Sequence, residues 1–283
     1  MGTTKPYELT LMAVHAHPDD ESTSTGGILA RYAREGVRTV VVTCTNGELG
    51  DALNGAKPGA EGHDPQEVAA TRIAELRTAC EHLEVVDLEL LGYHDSGMVN
   101  WEDKHRPDVF CNVPAEVASA RVARLIEHYR PQVVVTYDPE SSYQHPDHVH
   151  AARIATLAVE TTRIPAKLYY KANGAAQWKR IFDALAQIGA PRPTLSPETL
   201  QRWEDTDTRT TTTIDVSQVV ERKRSALHSH VSQLDSAMTS KLPADLYADV
   251  FSTETFIRAH DTTGAPTPED DLFAGLRSAN SAS

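Results

Sequence analysis

Short apolar runs alternate with amphipathic stretches along residues 9–162 of the chain. The run over residues 37–44 is mostly β-branched, which is typical of a strand that is covered on both faces. The stretches between the runs place apolar residues at helical spacing, as Ile28, Leu29 and Tyr32 do. The pattern predicts strands over 9–14, 37–44, 85–91 and 132–136, and helices over 26–35, 66–83, 115–129 and 146–162. This repeated order predicts an α/β fold, in which helices flank a mainly parallel sheet.

The pattern is weaker in the second half of the chain. It predicts strands over 167–171 and 211–216 and helices over 175–188 and 219–234, and it leaves 191–210 without regular structure. The sequence contains no internal repeat and no clear linker, so we predict a single domain over residues 1–260. Residues 261–283 are polar, contain prolines and end in small residues, so we predict a mobile tail there.

Composition and charge narrow the class of partner. The 283 residues include 27 Lys+Arg and 40 Asp+Glu, which gives a net charge of −13, and the 40% hydrophobic content suffices for a large core. An acidic chain lacks the basic surface that nucleic acids and anionic membranes require. We therefore expect a small-molecule partner, with no nucleic acid and no membrane, and we leave a homo-oligomer open.

Signals for export and membrane insertion are missing from the sequence. The longest apolar runs are of strand length, and the N-terminus lacks the apolar segment of a signal peptide. The three cysteines, Cys44, Cys80 and Cys111, are scattered and odd in number, which argues against a disulfide framework and for the cytoplasm. There is no CxxC motif, so a thiolate zinc site is not expected.

A dense cluster of ionisable residues, HAHPDDES over residues 15–22, directly follows the first predicted strand. In an open α/β sheet, this carboxyl edge is where ligands bind. The acidic residues Asp19, Asp20 and Glu21 alternatively suit the positive end of the following helix. That interpretation leaves the two histidines unexplained.

A second cluster, YQHPDHVH over residues 143–150, follows the fourth predicted strand. Adjacent parallel strands would bring both clusters to one edge of the sheet. A His and an Asp from the first cluster and a His from the second could then bind one divalent ion, and mixed imidazole and carboxylate ligands suit zinc. A third carboxylate beside the ion could deprotonate its bound water. The alternative for the second cluster is a solvated helix start.

The two motifs HPDDE (17–21) and HPDH (145–148) resemble the paired signatures of the LmbE-like, or PIG-L, zinc deacetylases. Within that family, the similarity is greatest to the actinobacterial mycothiol deacetylase and mycothiol S-conjugate amidase. The similarity extends over most of the chain, through residues 11–16, 43–48, 95–98, 134–139, 230–233 and 272–276.

The resemblance implies a Rossmann-like α/β fold and one Zn²⁺ per chain. The metal ligands would be His17, Asp20 and His148. Asp19 would act as the general base that deprotonates the attacking water.

The resemblance also implies catalytic roles for the second motif. His145, with Tyr143 on the same loop, would stabilise the tetrahedral oxyanion, and His145 or protonated Asp19 would donate a proton to the departing amine. Asp147 would orient His145. Tyr143 alternatively only packs there.

Substrate contacts carry over from the family at Glu48, Arg72 and Asp95. Arg72 is alternatively a solvated charge on a helix, and Asp95 alternatively forms a turn before Ser96 and Gly97. His230 and Gln233 are further candidates to reach the pocket, and they alternatively form a pair on the surface.

The expected reaction is zinc-dependent hydrolysis of the N-acyl amide of an amino-sugar substrate, such as N-acetylglucosaminyl-inositol or a mycothiol S-conjugate. Residues 22–26 resemble the deacetylase, the C-terminal half resembles the amidase, and residues 171–210 and 94–112 match neither well. The alternatives are therefore a deacetylase of a specialised metabolite and a catalytically silent, metal-containing binding module.

Overall fold

The computed structural model describes residues 7–277 and places a seven-stranded sheet at the centre of this part of the chain. The strands are β1 (Thr10–His15), β2 (Arg38–Thr45), β3 (Asp87–Tyr93), β4 (Val133–Tyr137), β5 (Lys167–Ala172), β6 (Thr212–Asp215) and β7 (Thr253–Asp261). Their order across the sheet is β3-β2-β1-β4-β5-β7-β6. The first five strands pair in parallel, and β7 pairs antiparallel with both of its neighbours. The prediction of an α/β fold with a mainly parallel sheet is confirmed.

Helices cover both faces of this sheet. They are α1 (Asp20–Ser24), α2 (Gly26–Arg34), α3 (Pro65–His82), α4 (Ala115–Tyr129), α5 (Pro146–Thr162), α6 (Ala175–Gln187), α7 (Pro197–Arg209), α8 (Val220–Ser229) and α9 (Ala244–Phe251). The bounds of α4 and α5 agree with the sequence prediction. Both α3 and α5 begin with a proline at the first helical position, where the missing N–H costs nothing. None of the helices described is long and apolar enough to cross a membrane.

Alternation along β1 explains why the sheet is covered on both faces. Leu11 and Ala13 belong to one apolar cluster, whereas Met12 and Val14 belong to another on the opposite face. Because all four side chains are fully buried, β1 lies in the interior of the sheet. A third apolar cluster joins α6, α7, α8 and α9 in the second half of the chain, which also contains β6 and β7.

Four elements were absent from the sequence prediction, and one of them is the short helix α1, which precedes the helix predicted over 26–35. Helix α7 lies within the segment predicted to be irregular, and α9 and β7 had no predicted counterpart. Helix α7 buries only Trp203 and Thr206, so it carries little apolar periodicity. Strand β7 inserts between β5 and β6, and such pairing of distant segments leaves no local signal. The helix predicted over 219–234 ends at Ser229 and continues as a separate 3₁₀ turn, Val231–Gln233.

The segment after Asp261 also differs from the prediction. Residues 261–277 pack against the domain, and Leu272 and Phe273 are fully buried there. The Tyr32 hydroxyl accepts a hydrogen bond from the Leu272 backbone N–H at 2.7 Å and donates one to Asp271 at 2.9 Å. Two buried apolar residues therefore anchor a segment whose overall composition is polar. Positions 278–283 of the predicted tail lie outside the described residues.

Candidate active site

Strands β1 and β4 bring the two histidine motifs together. They are parallel neighbours, with Leu11 opposite Val133 and Ala13 opposite Val135, so their carboxyl ends lie at one edge of the sheet. Helix α1 begins beyond β1 and helix α5 begins beyond β4, and residues from both turns line a cavity of about 640 Å³. The predicted convergence of the two motifs is thus present in the structure.

The three predicted metal ligands lie together in this cavity. One carboxylate oxygen of Asp20, Oδ2, is 3.5 Å from His17 Nδ1, and the other, Oδ1, is 3.4 Å from His148 Nε2. The His17 backbone N–H donates to Asp20 Oδ2 at 2.8 Å and holds the carboxylate in place. Each of the two ring contacts uses a different oxygen of Asp20. Among the described residues, the groups of three whose donor atoms all lie within 4.8 Å of one another are instead His17, His145 and His148, and His17, Asp95 and Asp147.

The electrostatics of the cluster favour a cation. Burial opposes a charge on His17, but the carboxylates of Asp95, Asp147 and Asp20 outweigh it and raise the pKa of the imidazole well above its ordinary value. Burial likewise opposes ionisation of Asp20, but His148 and His17 hold its pKa well below the ordinary value. The carboxylates around His17 attract a cation, and a divalent ion that binds the imidazole must displace its proton.

The structure places Asp147 against His17 and not against His145, which differs from the orienting role predicted for it. The fully buried Asp147 Oδ2 lies 3.2 Å from His17 Nε2 and accepts the Ser96 backbone N–H at 2.9 Å. A neutral His17 that donates through Nε2 would direct the lone pair of Nδ1 toward Asp20. A carboxylate that holds a ligating imidazole in this way is common around zinc. The reason for the difference is that Asp147 lies within the first turn of α5, and its side chain points toward the β1 loop.

His145 directs its Nδ1 ring nitrogen toward the first turn of α5. Its Nδ1 accepts the Asp147 backbone N–H at 3.2 Å, so the neutral ring carries its proton on Nε2. Burial, together with the charges of His17 and His148, lowers the pKa of His145 to about 3. The nitrogens of these three histidines lie within 4.8 Å of one another, so they form an alternative ligand group. The Nε2 proton of His145 favours hydrogen-bond donation over metal ligation.

Asp19 points its carboxylate toward the cavity. Its side chain is 27% exposed, and its Oδ2 lies 2.9 Å from Arg72 Nη2. Burial raises the pKa of Asp19, although the Arg72 guanidinium opposes that shift. A carboxylate that is held by one partner but still reachable from the cavity can accept a proton there.

Arg72 is buried and is not a solvated charge. In addition to Asp19, its guanidinium donates to the carbonyl oxygens of Gly47 at 2.7 Å and Pro18 at 2.6 Å. Because Pro18 follows β1 and Gly47 follows β2, Arg72 joins these two loops. Arg72 also lines the cavity.

The other two predicted substrate residues, Asp95 and Glu48, line different cavities in the structure. Asp95 lies in the cavity, where its Oδ1 accepts the Gly97 backbone N–H at 2.8 Å and lies 3.5 Å from His17 Nε2. Glu48 instead lines an adjacent cleft of about 1040 Å³, where it contacts His94 at 2.7 Å. Asp95 therefore forms a turn and also lies at the site, whereas Glu48 is not brought to the metal-binding cluster.

Two aromatic residues flank His148. Tyr143, which is 51% exposed, lies edge-on to the His148 ring with 5.1 Å between centroids. Tyr137, for which the sequence suggested no role, stacks on the His148 ring with 4.1 Å between centroids. The Tyr137 hydroxyl accepts the Ala16 backbone N–H at 2.7 Å and so ties β4 to the first motif. Its place within the family-like stretch 134–139 was the available signal.

A buried pair behind the cavity was also missed. Glu21 Oε1 lies 2.7 Å from His230 Nε2, and both side chains are almost completely buried. Burial opposes the charge on each, but the pKa of His230 is raised and that of Glu21 is lowered because the partners stabilise each other. Gln233 accepts the Asp51 backbone N–H at 3.2 Å and lines the cavity, as the sequence had suggested it could.

Comparisons with known proteins support the interpretation of this geometry. Residues 12–159, which contain both histidine motifs, match the model of the PIG-L family, described as GlcNAc-PI de-N-acetylase. A relative from Actinosynnema mirum is 37% identical over 286 residues, covering 98% of this chain and 99% of the relative. Another from Rhodococcus erythropolis is 35% identical over 290 residues, covering 95% and 98%. Both are named 1D-myo-inositol 2-acetamido-2-deoxy-alpha-D-glucopyranoside deacetylase.

Solved structures share the fold at lower identity. The A40926 pseudoaglycone deacetylase Dbv21 aligns with a TM-score of 0.58 and 18% identity, covering 88% of this chain and 96% of that one. The hydratase GalB of Pseudomonas putida aligns with a TM-score of 0.55 and 16% identity, covering 90% and 97%. Because a hydratase and a deacetylase share this fold, the fold by itself does not select the reaction.

Proposed function

The chain belongs to the PIG-L family, and from this premise we propose that it removes the N-acetyl group of an amino-sugar glycoside such as N-acetylglucosaminyl-inositol. Membership makes the chain an enzyme that hydrolyses N-acetyl amides, and the names of its relatives support the inositol glycoside as substrate. The observation that carries the proposal is the position of Asp20 between His17 and His148, with the Asp19 carboxylate in the same cavity.

PIG-L deacetylases are metalloenzymes, and we propose Zn²⁺ as the metal, held by His17, Asp20 and His148. The donor set of two imidazoles and one carboxylate fits a catalytic zinc site. When bound, the ion polarises the amide carbonyl and lowers the pKa of water. Asp147 would keep the His17 ring oriented through its contact with Nε2.

The remaining residues would move protons. Asp19 would accept a proton from the water that adds to the carbonyl carbon. His145 Nε2–H would donate a hydrogen bond to the developing oxyanion, and Tyr143 at the edge of the cavity would assist it. The carbon–nitrogen bond then breaks, the amine takes the proton that Asp19 accepted from water, and acetate and the free amino sugar are released.

Polar groups along the cavity wall would bind the sugar. Arg72 and Asp95 lie in the wall beside Asp19 and His17, and both side chains are more than nine-tenths buried. We propose that they contact substrate hydroxyls and that Glu48 contributes only to a substrate that extends into the adjacent cleft. The adjacent cleft shares Leu49 and Trp101 with the cavity.

We also propose a cytoplasmic location. Cys44, Cys80 and Cys111 are all free thiols in the structure. Free, scattered cysteines are typical of proteins in a reducing compartment.

A hydrolysis panel analysed by mass spectrometry tests the proposal. Zinc-loaded protein is incubated with N-acetylglucosaminyl-inositol, a mycothiol S-conjugate and plain N-acetylglucosamine, with an iron(II)-loaded sample in parallel. We expect loss of one acetyl group from the inositol glycoside at the highest rate. Preferred cleavage of the S-conjugate would assign amidase activity instead. Thermal stabilisation by these compounds without any product would identify a binding module.

A further inference from the structure

Glu21 is the acidic residue of the HPDDE motif that the proposed mechanism leaves without a role. It is fully buried next to the proposed ligand Asp20, and its carboxylate contacts His230, which is 209 positions away in the chain. Neither Glu21 nor His230 lines the cavity. Burying two ionisable groups costs several kcal/mol unless they are well paired, so their position calls for a structural or functional reason.

The neighbouring Asp19 has an unusual backbone conformation. Its φ of 112° lies where residues other than glycine rarely occur, at a cost of about 1–3 kcal/mol. Glu21 Oε2 accepts the Asp19 backbone N–H at 3.0 Å, while Arg72 binds the Asp19 carboxylate at 2.9 Å. Asp19 is thus held at its backbone N–H by Glu21 and at its carboxylate by Arg72, and its carbonyl oxygen accepts the Thr23 hydroxyl at 3.2 Å.

His230 holds the Glu21 carboxylate and is itself firmly anchored. It precedes the turn Val231–Gln233, in which Ser232 donates to Glu75 of α3 through its backbone N–H at 2.8 Å and its hydroxyl at 2.7 Å. A connected set of contacts therefore runs from α3 through His230 and Glu21 to the backbone of Asp19.

We propose that Glu21 and His230 are positioning residues that hold Asp19 in its positive-φ conformation and keep its carboxylate in the cavity. Without the bond from Glu21, the Asp19 backbone would relax toward an ordinary φ, and its carboxylate would move away from the attacking water. The proposal rests on the proposed role of Asp19 as the proton acceptor.

Steady-state kinetics on N-acetylglucosaminyl-inositol test this role with full-length, zinc-loaded E21A, E21Q, H230A and D19N. We expect E21A to lower kcat by about 10²-fold, the scale of a misplaced catalytic group, with KM and zinc content unchanged. E21Q should recover most of this loss, because an amide oxygen can still accept the Asp19 N–H. H230A should show a smaller loss, and the E21A/H230A double variant should be no worse than E21A.

Glu254 provides the matched control. Its buried carboxylate pairs with Lys223 at 2.6 Å and accepts the backbone N–H groups of Gly27 and Ile28. None of these hydrogen bonds involves Asp19. E254Q should lower the melting temperature and leave kcat per folded molecule unchanged, with circular dichroism and zinc content reporting the folded fraction.

The proposal is overturned if E21A keeps the parent kcat, if E21Q is as impaired as E21A, or if E254Q lowers kcat as much as E21A does. D19N separates the two levels of inference. An inactive D19N beside a fully active E21A rejects the positioning role alone. An active D19N rejects the proposed role of Asp19, and the positioning role with it.

Discussion

The tripeptide His-Pro-Asp occurs in the loop after β1 and again in the loop after β4, and the aspartates of the two turns have different positions. In the first turn, His17 lies against the ligand carboxylate of Asp20, and Asp19 reaches the cavity. In the second turn, Asp147 is fully buried against His17, and His145 lines the cavity. Both histidines therefore line the cavity, whereas of the two aspartates only Asp19 does.

The difference comes from where each helix begins. Helix α1 begins at Asp20, after the tripeptide, so Asp19 lies outside the helix at a φ of 112°. Helix α5 begins at Pro146, so Asp147 lies inside its first turn, and His145 caps the helix with a φ of −63°. A shift of the helix start relative to the same tripeptide thus changes the direction of its Asp side chain, which lines the cavity in the first turn and is buried against His17 in the second.

Substitutions of the two aspartates should change different properties of the enzyme. D19N should lower kcat by about 10³-fold, the scale of lost general base catalysis, and should retain its zinc. D147N should instead weaken zinc affinity by about 10–100-fold, because the imidazole of His17 loses its partner, and excess zinc should restore its kcat. Kinetics with metal analysis at graded zinc concentrations check both. Equal effects of the two variants would mean that the turns are equivalent.

Substitutions of His17 and His145 should also differ in their effects on zinc content and kcat. H17A should lose its zinc and with it all activity, whereas H145A should keep its zinc and lose about 10²-fold in kcat, as expected for a lost oxyanion donor. Equilibrium zinc binding with a chromophoric chelator measures the first property, and kinetics measure the second. If H145A loses zinc as H17A does, the ligand group is that of His17, His145 and His148.

The smallest expected effect concerns the prolines. P18A and P146A should each lower the free energy of unfolding by about 0.4–1 kcal/mol, because the unfolded chain gains conformational freedom. Only P18A should lower kcat, by a few fold, since its turn carries the strained Asp19. Denaturant titration and kinetics on both variants test this, and an equal loss of kcat in P146A would contradict it.

Local patterns predicted much of the framework. The apolar runs and helical spacings in residues 9–162 predicted β1 to β4, and the bounds of α4 and α5 agree with the prediction. The pattern failed for α7, whose surface is mostly polar, and for β7, which pairs with segments far along the chain. It also failed for residues 272–273, because two anchoring residues do not show in the composition of a polar segment.

The candidate site was likewise predicted only in part. Residue type and spacing predicted that a His and an Asp of the first motif would meet a His of the second, since adjacent parallel strands bring their carboxyl ends to one edge. The resemblance to the family then assigned these roles to His17, Asp20 and His148. Residue type and spacing did not predict that Asp147 would contact His17, or that Glu48 would line the adjacent cleft.

The sequence by itself determined the alternation of strands and helices, the edge of the sheet that carries the chemistry and the residue types available there. These properties depend on the periodicity of neighbouring residues. Only the tertiary structure decided which partner each side chain takes, as with Glu21 and His230, 209 positions apart. Such pairing depends on where each helix begins and how helices pack on the sheet, and sequence spacing does not encode those distances.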